Sequence, residues 1–325
     1  MTDVLVVNAG STSLKLDVVS PDETSRRIES YAELDADVAA VGHRIVHGGA
    51  RFKAPVVIDE AVEHEIADLA LIAPLHNTPA LEALGEARRV LPDVPHVAVF
   101  DTAFHSSIPD EAAVYAIPRR WTEEWGVRRF GFHGLSVQWS AERVRAPRLV
   151  VCHLGGGCSV TAVLDGRSVD TSMGFTPLEG VPMAARSGSV DPGALLFLLR
   201  EKFLTLEELD DALEHESGLK ALGGLENPLG LAVYTHRIAA TVAAMASALG
   251  GLDALVFTAG VGENVPAVRA EVCRRLAFLG IELDAAANES ATPDAEIAGP
   301  ASAVRVAVIQ AREEIVVARA VRELV

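Results

Sequence analysis

The sequence predicts an α/β fold made of two related halves, and three observations point to it. Half of the residues are hydrophobic but only 5% are aromatic, and Ala, Val, Leu and Gly dominate. That mixture suits helices packed closely on buried strands better than a β-sandwich. The length of 325 residues gives, at about 150 per domain, an expectation of two domains with ample core. A strand, turn, strand pattern opens the chain and returns about 145 residues later.

Residues 4–7 are an apolar run short enough for a buried strand, residues 8–13 a small polar turn, and Leu14–Val19 resumes β-branched and apolar character. The second copy runs through residues 149–152, then His153-Leu154-Gly155-Gly156-Gly157, then Cys158–Leu164, with Asp165-Gly166 opening the next turn. The likeness rests on LVVNAGSTS beside VVCHLGGGCS and predicts that each half begins with a glycine-bearing hairpin. Between the copies, His96–Phe100 reads as a strand ending at Asp101, and residues 127–134 as a loop leading into a helix over 136–143. Asp191-Pro192-Gly193 starts a helix through Leu199, because proline is tolerated at a first helical position. Residues 207–214 give a second helix and 234–249 a longer, alanine-rich one expected in the core. Residues 252–258 form a strand running into Ala259-Gly260-Val261-Gly262-Glu263-Asn264, after which Pro266 starts a helix to Phe278. Residues 293–301 read as a surface loop, 304–309 as the last strand and Glu313–Leu324 as a closing helix.

Charge and cysteine usage exclude several function classes. Twenty-eight Lys and Arg against 45 Asp and Glu leave a formal net charge of −17, a surface that repels polyanions and disfavours nucleic acid or anionic lipid as a partner. Any phosphate must be met by a local site. Cys152, Cys158 and Cys273 are too few, and odd in number, for a secreted disulfide framework. The opening MTDVLVVNAG has no basic leader and no run of 18 apolar residues occurs, so the expectation is a cytoplasmic protein that neither spans nor binds a membrane.

The turn Asn8-Ala9-Gly10-Ser11-Thr12-Ser13-Leu14-Lys15 gathers small residues, hydroxyls and a lysine where backbone amides can converge on an anion; it is equally compatible with an ordinary hairpin turn. Gly155-Gly156-Gly157 and Gly260-Val261-Gly262 stand at strand ends in the same way, and three such places together suggest a nucleotide cleft. Arg44, within GHRIVHGG, and Arg186, within ARSGS, lie among small residues that leave the planar guanidinium free to grip a carboxylate or phosphate in two-pronged fashion. His43 and His47 lie four apart, but no neighbouring acid or cysteine completes a zinc site. His76, His133 and His153, taken singly, read as hydrogen-bonded histidines.

Together these pieces resemble the acetate, propionate and butyrate kinase family, a branch of the sugar kinase, Hsp70 and actin superfamily. The matching stretches are VLVVNAGSTSLKLDVV, VGHRIVHGG, APLHN, VFDTAFHSSIP, RRFGFHGLS, CHLGGGCS, SVDTSMGFTPLEG, ARSGSVDPG, VFTAGVGEN and EEIVVAR, in family order from residue 4 to residue 319. The resemblance implies two duplicated ribonuclease H-like domains with an active-site cleft between them: residues 1–104 with 316–325, and residues 105–315 as the nucleotide-binding and dimerisation domain. It implies phosphoryl transfer from ATP to a small carboxylate, giving an acyl phosphate and ADP, with Mg2+ or Mn2+, in a cytoplasmic homodimer. Arg44, Asp101, His133 and Arg186 correspond to its catalytic residues, and Asn8 and Glu313 to positions near the metal. Arg44, Val46, Leu75, Phe132 and Pro177 correspond to its acyl site. Ser11, Ser13, Lys15, His153, Gly155, Gly156, Gly157, Gly260, Gly262, Glu263 and Asn264 fall on its nucleotide side. The chemistry suits these residue types: a carboxylate with a reference pKa near ~4 is already a nucleophile at pH 7 and needs no base, so charge neutralisation and positioning are the whole task. Val46 leans the acyl pocket toward acetate, with propionate as a second substrate.

The pattern departs from the family in four places, the first being sequence missing between the opening hairpin and VGHRIVHGG. The chain is short after Leu219-Lys220, where an Asp-x-Arg loop that contacts the nucleotide is missing; Gly156 stands where an asparagine is usual; and QAREE replaces a PTxEE-like run. These departures keep two other readings open: a carboxylate kinase with another nucleotide or pyrophosphate as donor, or a non-catalytic acyl-phosphate or nucleotide sensor.

Overall fold

Strand β1 (Asp3–Ala9) reads DVLVVNA, and the near-unbroken burial of Val4 to Val7 is that of a strand covered on both faces. Such runs sit at the centre of each of two sheets in the computed structural model, which describes residues 2–10, 14–34, 37–69 and 74–325. The chain divides into two units: Met1–Ser106 with Phe132–Trp139 and Arg312–Val325, and Ser107–Gly131 with Ser140–Ala311.

In the first unit β1 pairs antiparallel with β2 (Leu14–Val19), which pairs with the polar edge strand β3 (Ser25–Ile28). On its other side β1 lies parallel to β4 (Val38–Ile45), β4 parallel to β6 (His96–Phe100), and the two-residue β5 (Val56–Val57) closes the edge, giving the order β3-β2-β1-β4-β6-β5. Helices Glu60–Leu69 and Pro74–Val90 supply Ile66, Ala80, Leu84 and Ala87 to the core. The C-terminal helix Glu313–Leu324 lays Val317 and Val321 over Gly42 of β4 so closely that a Cβ there would meet their methyl groups at 2.6 and 2.8 Å.

The second unit repeats this plan. β7 (Arg148–Leu154), β8 (Cys158–Leu164) and β9 (Arg167–Thr171) form the antiparallel meander. β10 (Ala254–Thr258) runs parallel to β7, β12 (Arg305–Val308) runs parallel to β10, and β11 (Ala295–Glu296) is the antiparallel edge, in the order β11-β12-β10-β7-β8-β9. Strand for strand, the sense and order of pairing match the first sheet, so the duplication read from two glycine turns extends through six strands. Helix Pro228–Ala248 is long and apolar enough to cross a membrane by length and composition, but its Tyr234, Ile238 and Val242 are fully buried within this unit.

Several elements differ from expectation: the alanine-rich helix begins at Pro228 and not at 234, the helix expected over 207–214 ends at Asp211 and passes into a π-helical turn, and two further segments change character. The segment expected as a glycine loop after β10 is itself a helical turn, Ala259–Asn264. Ala259 takes a left-handed φ of 65° to leave the strand, and its N–H is held by the Glu263 carboxylate at 2.8 Å. The expected surface loop at 293–301 contains β11, which forms because Ala295 and Glu296 pair with β12.

Candidate active site

The carboxyl ends of three parallel strands place the first unit's chemistry, the edge of open α/β sheets at which ligands bind. Asn8 of β1 is the ladder partner of Lys15 on one side and of Arg44 on the other, so these three residues share a face. Arg44 is in turn the partner of Val99 in β6, and Asp101, two residues beyond, faces the same way. The Asp101 N–H is tied to the Ile45 carbonyl at 2.9 Å. Glu313 joins them as the first residue of the C-terminal helix. Four positions spread over 305 residues thus meet because strand register and one helix start bring them together.

The Arg44 guanidinium is the hub. Its Nε donates to Asp101 Oδ1 at 3.2 Å and lies 3.2 Å from Glu313 Oε2, Nη1 donates to Asn8 Oδ1 at 3.1 Å, and Nη2 bonds Asp101 Oδ2. Asn8 Nδ2 donates to Glu313 Oε2 at 3.4 Å. Asp101 is fully buried and the Arg44 side chain is 12% exposed. Burial pushes the Asp101 carboxyl up to about 6, with Glu313 adding to the push and Arg44 opposing it. For Arg44 burial works against the charge, yet Asp101 and Glu313 outweigh it and hold the pKa above its ordinary value. Two acids against one guanidinium leave an excess of negative charge at a mostly buried place.

That excess, with the oxygens of Asn8, Asp101 and Glu313, fits a hard divalent cation. Among the described residues no group of three or more His, Cys, Asp or Glu could hold a metal alone, so an ion here would need further oxygens from a bound substrate or water. His43 and His47 are no part of such a site. His43 bonds His96 at 2.9 Å, while the His47 ring accepts from the Gly49 N–H at 2.9 Å and its backbone is clasped by Asn77.

His133 follows directly. Its N–H bonds the Asp101 carboxylate, it holds a left-handed φ of 59°, and the next residue must be glycine, because a Cβ on Gly134 would lie 2.0 Å from the Asp101 carbonyl oxygen. Val46 and Phe132 are buried apolar residues of this unit, with Phe132 edge-on to His47 at 5.5 Å. The expected phosphate-loop hydroxyls Ser11 and Ser13 lie outside the described residues, as does the side chain of Leu75.

In the second unit the partners Thr258 and His153 put the turn Gly155-Gly156-Gly157 and the helical turn Ala259–Asn264 on one sheet edge, beside each other. Gly155 N–H reaches the Gly157 carbonyl at 3.0 Å. A Cβ on Gly156 or Gly260 would meet nothing within 4 Å, so packing does not impose glycine there. Two residues expected on the nucleotide side are engaged by their own backbone: Glu263 Oε1 accepts from Ala259 and Ala311, and Asn264 Nδ2 donates to the Gly260 carbonyl at 2.8 Å. Arg186 donates from Nη1 to the Pro177 carbonyl at 3.1 Å, while its Nε stands 3.4 Å from Glu214 Oε2. Sequence reasoning missed Glu214, and also Arg269, which is 1% exposed and grips the carbonyls of Gly262 and Glu263 at 2.9 and 2.8 Å from beneath the helical turn. An arginine three residues after a helix-starting proline carries no local signal of such a role.

Two sheets of matching order, with an arginine, acid and amide cluster on one and paired glycine turns on the other, make a duplicated two-domain α/β fold whose site residues suit the handling of anionic groups. The chain belongs to the acetokinase family, whose model matches residues 23–319. It is similar to an acetate kinase of Nostoc punctiforme, 44% identical over 322 residues covering 92% of this chain and 78% of that protein. Among solved structures it is similar to a propionate kinase from Francisella tularensis, at TM-score 0.93, 31% identity and full coverage of both chains. An acetate kinase from Entamoeba histolytica matches at TM-score 0.89 and 31% identity over 99% of each chain. The chain is therefore an enzyme, a kinase acting on a carboxylate.

Proposed function

We propose that the protein transfers the γ-phosphoryl group of ATP to acetate, reversibly, with propionate as a slower substrate and Mg2+ or Mn2+ as the ion. The observation that carries this reading is the Arg44, Asp101, Asn8 and Glu313 cluster at the carboxyl ends of β1, β4 and β6. Arg44 spends Nε and one N–H on each terminal nitrogen inside the cluster, which leaves of its five donors one on each terminal nitrogen for a substrate oxygen. Asp101, buried and bonded to a guanidinium, serves as a ligand and an orienting group; an ionised acyl carboxylate has no proton to give up. Asn8, Asp101 and Glu313 would hold the divalent ion, which supplies charge neutralisation at the phosphoryl oxygens when bound. His133 and Arg186 are proposed to meet the charge that spreads over the transferring group. Val46, Leu75, Phe132 and Pro177 are proposed to take the short acyl chain, where one methylene is worth about 0.8 kcal/mol, so discrimination against propionate is only several-fold.

Lys15, Ser11 and Ser13 are assigned to the phosphates, and His153, Gly155, Gly156, Gly157, Gly260, Gly262, Glu263 and Asn264 to the nucleotide; for Glu263 and Asn264 the assignment is to their backbone, since the side chains are engaged. The open space over Gly156, together with the missing Asp-x-Arg loop, favours a second reading in which another nucleotide or pyrophosphate is the donor. A cytoplasmic homodimer joined through the second unit completes the proposal, supported by the exposed Leu196, Phe197, Phe203, Leu206 and Leu229, and light scattering on the purified protein reads it directly. The test of function is trapping of acyl phosphate with hydroxylamine across acetate, propionate and butyrate, with ATP, GTP or pyrophosphate, and with or without divalent ion. Acetate and ATP together with the ion should give the highest kcat/KM; no acyl phosphate from any pair sinks the reading, and preference for another donor selects the second.

A further inference from the structure

We propose that Glu214 is a positioning residue for Arg186, holding its guanidinium in the orientation phosphoryl transfer uses. The proposal rests on the reading of Arg186 as a catalytic arginine. Glu214 Oε2 lies 3.4 Å from Arg186 Nε, and the two side chains are only 15% and 18% exposed. The same guanidinium is fixed from a second direction, since Nη1 donates to the Pro177 carbonyl at 3.1 Å and lies 3.7 Å from Met183 Sδ. Two of the three nitrogens are thereby anchored, and Nη2 is left to face a ligand.

The backbone dictates this meeting. A capping box of Thr205 and Glu208 fixes the start of helix Leu206–Asp211, which then widens into a π-helical turn over Ala212–Glu216, a geometry that is rare and concentrates at functional places. Ser217 Oγ donates to the Ala212 carbonyl at 2.7 Å and closes that turn. On either side of Glu214 the turn is stitched to the segment carrying Arg186: Ser187 N–H donates to the Leu213 carbonyl at 3.1 Å, and Ser217 N–H to the Ala185 carbonyl at 2.8 Å. Gly218, at φ 62°, presses so close that a Cβ would stand 2.2 and 2.5 Å from the carbonyl oxygens of Met183 and Arg186. An exposed ion pair on two freely rotating side chains counts for little; here the acid is delivered to its arginine by backbone bonds on both sides. Burial pushes the Glu214 carboxyl upward while Arg186 pulls it down.

An arginine held in advance loses less rotamer freedom when it engages the transition state, so the contact acts on turnover more than on substrate affinity. A restraining contact would instead occupy the terminal fork; this one takes Nε.

The test is steady-state kinetics of Glu214→Ala and Glu214→Gln, alone and in an Arg186→Ala background, with melting curves to confirm folding. Glu214→Ala should lower kcat about ten-fold with the KM values for carboxylate and nucleotide within about two-fold, and Glu214→Gln, which still offers an acceptor oxygen, should stay within about three-fold of the parent. Adding Glu214→Ala to Arg186→Ala should lower kcat no further, a non-additivity that a merely structural role would not show. A kcat for Glu214→Ala equal to or above the parent's, or a further ten-fold fall in the Arg186→Ala background, overturns the assignment. Near-normal turnover by Arg186→Ala alone would instead remove the reading of Arg186 on which it rests. Should Glu214→Ala melt early, Glu214→Met, which keeps the bulk of the side chain and removes both acceptor oxygens, takes its place alone and in the Arg186→Ala background, with the same outcomes expected.

Discussion

Replacing Arg44 with methionine keeps the length of the side chain and removes the cation from the buried cluster. Asp101 is then left fully buried with the His133 N–H as its remaining bond from this group, and Glu313 loses a neighbour at 3.2 Å. Each carboxylate sits near enough that Coulomb attraction at an effective dielectric of 20 is about 4–5 kcal/mol, and breaking a buried pair by removing one partner costs about 3–5 kcal/mol. Within a total stability of about 5–15 kcal/mol the variant still folds, with melting lowered by roughly 10 °C. Asp101→Asn removes the orphaned charge, so Arg44→Met/Asp101→Asn should lose about 2–4 kcal/mol less than the two single losses summed. Urea melts of the four proteins in buffer free of divalent ions measure this. Losses that add to within about 0.5 kcal/mol would refute the claim that Arg44 and Asp101 stabilise each other in the folded chain.

Other substitutions probe separate parts of the account. Arg186→Ala should lower turnover by about 10³ to 10⁵ with its melting curve little changed; turnover near the parent's in a folded sample removes it from the machinery. Gly42→Ala forces a methyl against Val317 and Val321; the overpacking should cost about 1–3 kcal/mol in a urea melt, and by shifting the helix that begins at Glu313 it should lower kcat as well. Gly156→Asn meets open space, so melting should be unchanged while KM for the nucleotide falls; a destabilised variant contradicts the geometry. Burial pushes His105 down to about 4, although its bond to the Phe132 carbonyl at 2.9 Å works the other way. The folded chain therefore keeps His105 neutral where the unfolded chain takes up a proton near its ordinary ~6.5. Stability from this group is complete above about 6.5 and drains away as pH falls toward 4, at up to about 1.4 kcal/mol per pH unit. Urea melts of His105→Gln should show a shallower loss than the parent between pH 6.5 and 5, and parallel curves would exclude the effect.

How much was legible in the sequence varied with the kind of signal. Leu14–Val19, His96–Phe100, Cys158–Leu164 and Glu313–Leu324 have the bounds read from the sequence, the strands from apolar runs between turn residues. Helices Glu60–Leu69 and Pro74–Val90 left no such mark; the second carries Pro74, Pro79 and Gly85, whose local preference is against a helix, and burial of Ala80, Ala83, Leu84 and Ala87 overrides it. The polar strands SRRI and RSVDT exist because β2 and β8 offer them a ladder, which composition alone does not reveal. For the site, motif resemblance picked out Asn8, Arg44, Asp101 and Glu313, and strand register then brought them together. Glu214 was invisible because its meeting with Arg186 depends on a π-turn and on hydrogen bonds from a distant segment.

The central claim is that an acyl carboxylate oxygen, its charge offset by fixed cationic groups, attacks the terminal phosphorus of the donor. The direct measurement is the 31P spectrum of acyl phosphate formed from acetate labelled with 18O at both carboxyl oxygens and unlabelled ATP. An isotope-shifted resonance showing one 18O bonded to phosphorus is the predicted result; product in which phosphorus carries only unlabelled oxygen would contradict it.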